Sequence, residues 1–175
     1  AIRNGIVTVT EDRRRSGFIG LRSILQNIAL PNLDSFAAGK IFVNRKKERE
    51  QCTEIAKSLN VKAPTVDTLM YALSGGNQQK VILAKWMLRG PKVFIMDEPT
   101  RGIDVGAKYE IYKLITGMIK SGMSVIMISS ELPELLGMCD RIYVMRGGRI
   151  VGELQKDQIS SEAVMALAAG GQNHE

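Results

Sequence analysis

The sequence has few of the residues that build metal centres or disulfide frameworks. Its two cysteines, Cys52 and Cys139, lie far apart, and its only histidine, His174, is in the C-terminal tail. These residues have no ligand spacing, so the sequence predicts two inert thiols and no metal site of Cys or His. Aromatic residues make up 5% of the chain and do not interleave the basic clusters at 13–15 and 45–47. We therefore interpret both clusters as solvated patches and expect no nucleic-acid partner.

Long apolar runs are also missing. No stretch approaches the roughly 20 residues that a helix needs to cross a bilayer, so we expect any membrane association to go through a partner. The chain starts at Ala1 instead of Met, which indicates a trimmed or internal segment. Its 175 residues are enough for one domain with a sizeable core, and its net charge of +6 is moderately basic.

What the chain does have is a glycine pair in front of a long helical pattern. Ser74, Gly75 and Gly76 precede an apolar-rich run that continues to Arg89. The first turn of a helix leaves unpaired N–H donors and a partial positive charge, and glycines let a phosphate approach the main chain. The pattern therefore predicts an anion site, to which Ser74 adds a hydroxyl donor. A serine N-cap beside a Gly-Gly turn would explain the same residues.

Two carboxylates follow the next predicted element. Residues 93–96 are apolar and predict a buried strand, with Asp97 and Glu98 at its C-terminal end. Residues 123–128 predict a second buried strand, which ends at residues 129–131. The alternation of strands with helices predicts a parallel sheet, and such sheets place ligands at the carboxyl ends of their strands.

Further patterns predict individual elements. Asn44 is placed to cap the helix that follows it, and a helix over 105–121 would end with Gly122 as its C-cap. In the helix after the glycine pair, Trp86 is predicted to be core. Residues 140–154 predict two strands in a hairpin-like pair. The polar side of the helix after the glycine pair is predicted to consist of Lys80, Lys85 and Arg89.

Three segments resemble the motifs of one family. Residues 73–79, Leu-Ser-Gly-Gly-Asn-Gln-Gln, resemble the signature motif of ABC-type ATPases. Residues 94–98 resemble their Walker B strand, and residues 99–104 resemble the D-loop that follows it. The resemblance extends from Gly5 to about Leu154. It implies an α/β fold, namely a partial P-loop NTPase (ABC ATPase) core with a mainly parallel sheet plus a helical subdomain.

The resemblance divides the chain into four parts. The four parts are a core strand with a Q-loop-like segment at 1–22, a helical subdomain at 23–72, the signature helix with Walker B and the remaining core strands at 73–154, and a C-terminal helix and tail at 155–175. A plain packing insertion would explain residues 23–72 equally well on sequence alone.

The resemblance also implies roles for single residues. Asp97 would hold Mg²⁺ through water, and Glu98 would be the catalytic group that polarises attacking water or accepts its proton. In ABC dimers the signature helix closes over ATP held by the opposite nucleotide-binding domain, so the site is shared. The residues implied to contact the nucleotide are Glu11, Leu73, Ser74, Gly75, Gly76, Asn77, Gln78 and Asp104.

Three features depart from the family pattern. No Gly-x-x-x-x-Gly-Lys-Ser/Thr loop occurs, so the chain lacks that cradle for the β- and γ-phosphates and is expected to be inactive alone. Glu11 stands where most members have the Q-loop glutamine, and a carboxylate only accepts hydrogen bonds, which puts an ordinary contact to magnesium and water in doubt. Ser130 stands at the position of the switch histidine. A catalytic contact of Ser130 with the γ-phosphate and a merely polar strand end are equally compatible with the sequence.

Two of these variants are typical of one branch of the family. Glu-Asp-Arg at 11–13 and Ser-Ser-Glu at 129–131 resemble the C-terminal half of sugar importers of the ribose, galactose, xylose and arabinose type. This implies ATP and Mg²⁺ as cofactors and a location on the cytoplasmic face of the bacterial inner membrane. The implied partners are the N-terminal nucleotide-binding domain of the same polypeptide, transmembrane permease subunits and, indirectly, a sugar-binding protein. In that branch, residues 74–76 would serve the productive site of the first half, and the two carboxylates the weaker site.

Two other functions are considered. A soluble ABC-type ATPase acting on nucleic acid or ribosomes would be expected to carry a coiled coil or a basic stripe in the helical segment, and neither is evident. A non-catalytic docking module on membrane subunits, inert to nucleotide by itself, is the third; it is expected of this segment in isolation and is compatible with the first function for the complete protein.

Overall fold

The computed structural model describes residues 1–38 and 42–170, so His174 lies outside the described residues. The chain forms two compact units, Ala1–Ile128 and Ser129–Glu175. The predicted division into four parts is of another kind and stays a prediction. None of the helices in the described ranges combines the length and apolar character that a bilayer crossing requires.

The first unit contains five strands and four helices among its described residues. A single π-helical turn, Arg13–Gly17, follows the first strand. In chain order the elements are β1 (Ile6–Val9), α1 (Ile24–Ala29), β2 (Ala37–Ala38), β3 (Phe42–Val43), α2 (Arg45–Ser58), α3 (Gly75–Met87), β4 (Val93–Asp97), α4 (Val105–Lys120) and β5 (Ser124–Ile128).

A parallel sheet in the order β1-β4-β5 forms the centre of this unit and confirms the predicted α/β class. Phe94 and Met96 of the middle strand are fully buried, as expected for a strand with neighbours on both sides. The second predicted strand is present as β5, but the prediction that it is buried was wrong. Ile126 and Ile128 of β5 are 53% and 51% exposed, because β5 pairs only with β4 in the described part of the chain and only one of its faces is covered.

Local capping explains where two helices begin. The side chain of Asn44 accepts a hydrogen bond from the backbone N–H of Lys47 at 3.0 Å, which confirms it as the N-cap of α2. Asp104 caps α4 in the same way through the N–H of Ala107 at 2.9 Å. The predicted C-cap was wrong by one residue, since Ser121 is the cap and Gly122, at φ 92°, follows it.

Helix α3 is more buried than its sequence pattern predicted. Lys80 was expected on the polar side, yet it is 2% exposed. Trp86, expected in the core, is only half-buried, and the ammonium group of Lys85 lies 4.9 Å from its ring centroid. The helix therefore buries a cation near its start and leaves its aromatic ring partly in solvent.

The second unit is a hairpin packed with helices. It contains α5 (Leu132–Met138), β6 (Arg141–Arg146), β7 (Arg149–Gln155) and α6 (Ser161–Ala169). The antiparallel pairing of β6 with β7 confirms the predicted strand pair. Gly147 and Gly148 turn the chain with φ of 57° and 76°, a conformation that side chains disfavour and tight hairpins require. Its core consists of Ile142, Val144 and Val164.

Both thiols are protonated and partly or fully buried. Burial raises the pKa of Cys52 to about 12, and burial also raises the pKa of Cys139. Since the thiolate is the reactive form, the prediction of two inert thiols is supported.

Candidate functional site

The start of α3 has backbone donors that no capping side chain uses. Ser74 occupies the N-cap position and is exposed, but its side chain makes no capping hydrogen bond to the helix. Instead its Oγ accepts from the side-chain amide of Asn77 at 3.0 Å. Within the described residues, the backbone N–H groups of residues 75–77 donate to no other group. An ordinary serine cap would have used one of these donors, so the open tip favours an anion site over a plain N-cap.

The two glycines at this tip have different surroundings. A methyl group added to Gly76 would lie 2.6 Å from the Cβ of Ala107, so the absence of a side chain lets α3 and α4 approach closely. A methyl group on Gly75 would lie 2.9 Å from Nη2 of Arg13 and 3.2 Å from the carbonyl oxygen of Gly102. Gly76 therefore serves packing, whereas Gly75 borders the half-open tip.

Three further predicted residues fix the start of α3 through burial or hydrogen bonds to neighbouring loops. Gln78 is 5% exposed, and its Nε2 donates to the carbonyls of Met70 and Leu73 at 3.2 and 3.1 Å. Leu73 is itself buried. Asn77 accepts from the backbone N–H of Lys62 at 2.8 Å, which ties the tip to the loop after α2. These contacts fix the start of α3, and direct contact of the three residues with a nucleotide stays a prediction.

The carboxylates lie where the sequence placed them, at the carboxyl end of the middle strand. Asp97 is the last residue of β4 and pairs with Ile128. Glu98 has φ 47°, a left-handed conformation that is costly for any residue except glycine. Its backbone N–H donates to the carbonyl of Ile128 at 2.8 Å, which holds the turn in place. Strain of this kind is concentrated at functional sites, although it identifies none alone.

Residues 11–13 contact residues 101–102. Glu11 forms an ion pair with Arg101. Arg13 donates from Nη1 to the carbonyl of Arg101 at 2.5 Å and from Nη2 to the carbonyl of Gly102 at 3.0 Å. The prediction of a solvated basic cluster was wrong for Arg13, which is half-buried, while its neighbours at 14 and 15 are exposed. Burial, with a smaller effect of the adjacent arginine, lowers the pKa of Arg13.

An ion pair between a buried lysine and a partly exposed glutamate joins α3 to α4. Lys80 donates to the carbonyl of Asn60 at 2.8 Å and to the carboxylate of Glu110 on α4 at 2.5 Å. The hydrogen bond from Lys80 holds the pKa of Glu110 below its usual range. The lysine follows the motif at 73–79 directly, but no local signal indicates its partner 30 residues away.

The remaining two predicted residues are Asp104 and Ser130. Asp104 is exposed and caps α4. Ser130 is exposed and belongs to the second unit. Beside it, the hydroxyl of Ser129 hydrogen-bonds the carboxylate of Glu134 and accepts from the N–H of Glu131 at 3.0 Å.

The first unit, with its parallel sheet, the start of α3 and the carboxylates after β4, is similar to solved structures of ATP-binding cassettes. The dimeric post-hydrolysis structure of the ATP-binding cassette MJ0796 with ADP and Pi has a TM-score of 0.72 at 22% identity, covering 88% of this chain and 64% of that chain. For the cassette MJ1267 of an ABC transporter, the TM-score is 0.76 at 21% identity, with 95% and 69% covered. These likenesses show the fold alone. Residues 2–101 match the ABC transporter family, and the chain belongs to it.

Several curated proteins are more similar in sequence. A putative ribose/galactose/methyl galactoside import ATP-binding protein of Rhizobium etli is 50% identical, covering 98% of this chain and 32% of the relative. A ribose import ATP-binding protein of Rubrobacter xylanophilus is 47% identical, with 98% and 34% covered. A xylose import ATP-binding protein of Thermoanaerobacter pseudethanolicus is 48% identical, covering 98% of this chain and 34% of the relative. The chain thus spans about a third of the length of these relatives.

Proposed function

We propose that the chain is the C-terminal part of the ATP-binding subunit of an ABC transporter that couples ATP binding and hydrolysis to carbohydrate import. In this proposal, residues 73–79 are the signature motif, and residues 74–76 of it complete the nucleotide site of the partner domain. The observation that carries it is the uncapped start of α3, where the N–H groups of residues 75–77 donate to no other described group. The ribose and xylose import functions in the names of the relatives support a carbohydrate as cargo.

The residues at the end of β4 fit a magnesium–nucleotide complex. No cluster of three or more His, Cys, Asp or Glu side chains suited to a metal occurs in residues 1–38 and 42–170. Magnesium, however, is commonly held by one or two carboxylates together with phosphate oxygens and waters, which suits Asp97. Bound Mg-ATP supplies a γ-phosphoryl group whose developing charge the metal neutralises. Asp97 would hold the ion through water, and Glu98 would orient the attacking water and accept its proton.

The proposed partners follow from the same assignment. They are an N-terminal nucleotide-binding domain of the same polypeptide, permease subunits in the membrane and, indirectly, a sugar-binding protein. The proposed location is the cytoplasmic face of a bacterial inner membrane. The threefold greater length of the relatives supports a further domain.

Substitution in the complete protein, assembled with its permease, tests the assignment of the tip. We expect Gly75→Asp to abolish most ATP turnover, because its carboxylate would repel the triphosphate. Gly117→Asp is the matched control, since Gly117 is an exposed helical glycine with no atom within 4 Å of an added methyl group. Glu98→Gln should have the smaller effect if the carboxylates belong to the weaker site. Full turnover in Gly75→Asp, with complete loss in Glu98→Gln, would reverse the assignment.

A binding measurement tests the incomplete site. Since the chain has no Gly-x-x-x-x-Gly-Lys-Ser/Thr loop, we expect isothermal titration of residues 1–175 with Mg-ATP to give no tight, saturable heat. Tight binding would show that another part of the chain holds the triphosphate.

A further inference from the structure

Two reciprocal links join residues 11–13 to the D-loop-like segment at 99–104. Arg101 sends its guanidinium to the carboxylate of Glu11. Arg13 sends its own guanidinium back to the carbonyls of Arg101 and Gly102, 88 and 89 residues away in sequence. We call this set of contacts the clasp, formed by Glu11, Arg13, Arg101 and Gly102.

The geometry of the clasp holds Arg13 in one orientation. Each of its two terminal nitrogens donates to a different carbonyl, and the two carbonyls are consecutive along the chain. Its Nε is shielded from solvent and has no partner among the described residues. A planar guanidinium bound at two points has little rotational freedom, which a lysine could not reproduce with a single ammonium group.

The clasp borders the open start of α3. Nη2 of Arg13 and the carbonyl of Gly102 lie so close to Gly75 that a single added methyl group would be 2.9 and 3.2 Å from them. The ion pair of the clasp is exposed on both sides, with side-chain exposures of 64% for Arg101 and 47% for Glu11. Exposed ion pairs contribute little to the free energy of unfolding. The main consequence of these contacts is therefore that they fix the position of residues 99–104 relative to residues 11–13.

We propose that Glu11 and Arg13 are positioning residues that hold the D-loop-like segment against the signature tip. This inference rests on the proposed function and deepens it. Glu11 is engaged by Arg101 and is not the ligand of magnesium or of the attacking water that its place in the sequence suggests. The clasp sets the position of Gly102 relative to Gly75, and so the space that a triphosphate finds at the start of α3.

Charge reversal and rescue test the clasp in the complete protein assembled with its permease. We expect Glu11→Arg and Arg101→Glu each to lower kcat roughly tenfold, because small displacements of a reacting group are costly, with a smaller change in KM. The double variant should recover at least half of the lost kcat. Arg13→Gln should lower kcat as much as either single variant, and Arg13→Lys should rescue it only partly. Arg14→Gln and Arg15→Gln are matched controls on exposed neighbours and should retain activity.

Hydrogen exchange gives a second measurement that needs no nucleotide. Without ATP, Arg13→Gln should accelerate amide exchange in peptides covering 99–104 and 74–77, whereas Arg14→Gln should not. Unchanged exchange and kcat in Arg13→Gln, or failure of the double charge reversal to rescue, would overturn the clasp. Altered exchange in a complete protein that never hydrolyses ATP would instead retain the clasp and refute the proposed function.

Discussion

The start of α3 and the end of β4 use their backbones in opposite ways. At the helix tip, Ser74 has ordinary extended angles, φ −62° and ψ 158°, and the N–H groups of residues 75–77 donate to no other described group. At the strand end, Glu98 has a left-handed φ of 47°, and its N–H is committed to Ile128. The comparison teaches that the tip offers unused backbone groups, whereas the strand end uses its backbone to aim side chains.

The largest effect on the free energy of unfolding is expected from removing the buried ammonium group of Lys80. Lys80→Met would leave the carbonyl of Asn60 without its donor and the carboxylate of Glu110 with Lys62 alone, at a cost of about 3 kcal/mol. Urea unfolding followed by the fluorescence of Trp86, the single tryptophan, measures it. Lys120→Met, on an exposed lysine, is the control and should be nearly neutral. Equal stability of the two variants would mean that the tip does not depend on this pair.

The second effect separates the two glycines of the tip. Gly76→Ala places a methyl group 2.6 Å from the Cβ of Ala107, and overpacking of this kind costs about 2 kcal/mol. Gly75→Ala should cost less, because its closest new neighbour, Nη2 of Arg13, lies 2.9 Å from the added methyl group. The change Ala107→Gly should rescue Gly76→Ala but not Gly75→Ala in a double-mutant cycle. Rescue of both glycine variants, or of neither, would contradict the distinction between Gly76, which serves packing, and Gly75, which borders the start of the helix.

The third effect concerns strain at the strand end. Glycine adopts a positive φ without the clash that other residues suffer, so Glu98→Gly should be more stable than Glu98→Ala by about 1 kcal/mol. Both variants lack the carboxylate and should lose the same activity in the complete protein. Thermal unfolding of the pair checks this expectation. A more stable Glu98→Ala would show that Glu98 is not strained.

The smallest effect is the pH dependence of the stability that the ion pair between Lys80 and Glu110 contributes. Because Lys80 holds the pKa of Glu110 below its usual range, the pair stabilises the chain above the unfolded pKa of about 4.3. This contribution disappears as the pH falls through the lowered folded-state pKa. The difference in urea midpoint between the native chain and Glu110→Gln should therefore shrink between about pH 6 and pH 3. A constant difference would assign the effect of the substitution to packing.

Local patterns in the sequence were sufficient for the parallel sheet, the caps at Asn44 and the end of β4 at Asp97. Each depends on neighbours within a few residues or on the alternation of elements. The environments of Lys80 and Arg13 could not be predicted in this way. Their partners are Glu110 and the carbonyl groups at 60, 101 and 102, which are 20 to 89 residues distant. A basic residue has the same local pattern whether it meets solvent or a distant carbonyl, so only the folded chain distinguishes the two.

The contacts of Asn77 give the tip a direction that no single bond would provide. The backbone amide of Lys62 fixes which end of the Asn77 side chain is oxygen, and the nitrogen end then faces Ser74. A lone pair of the serine is thereby occupied, and its hydroxyl hydrogen is left to point elsewhere. The chain of hydrogen bonds from Lys62 through Asn77 to Ser74 thus leaves the serine hydroxyl able to donate to an acceptor that approaches the start of α3.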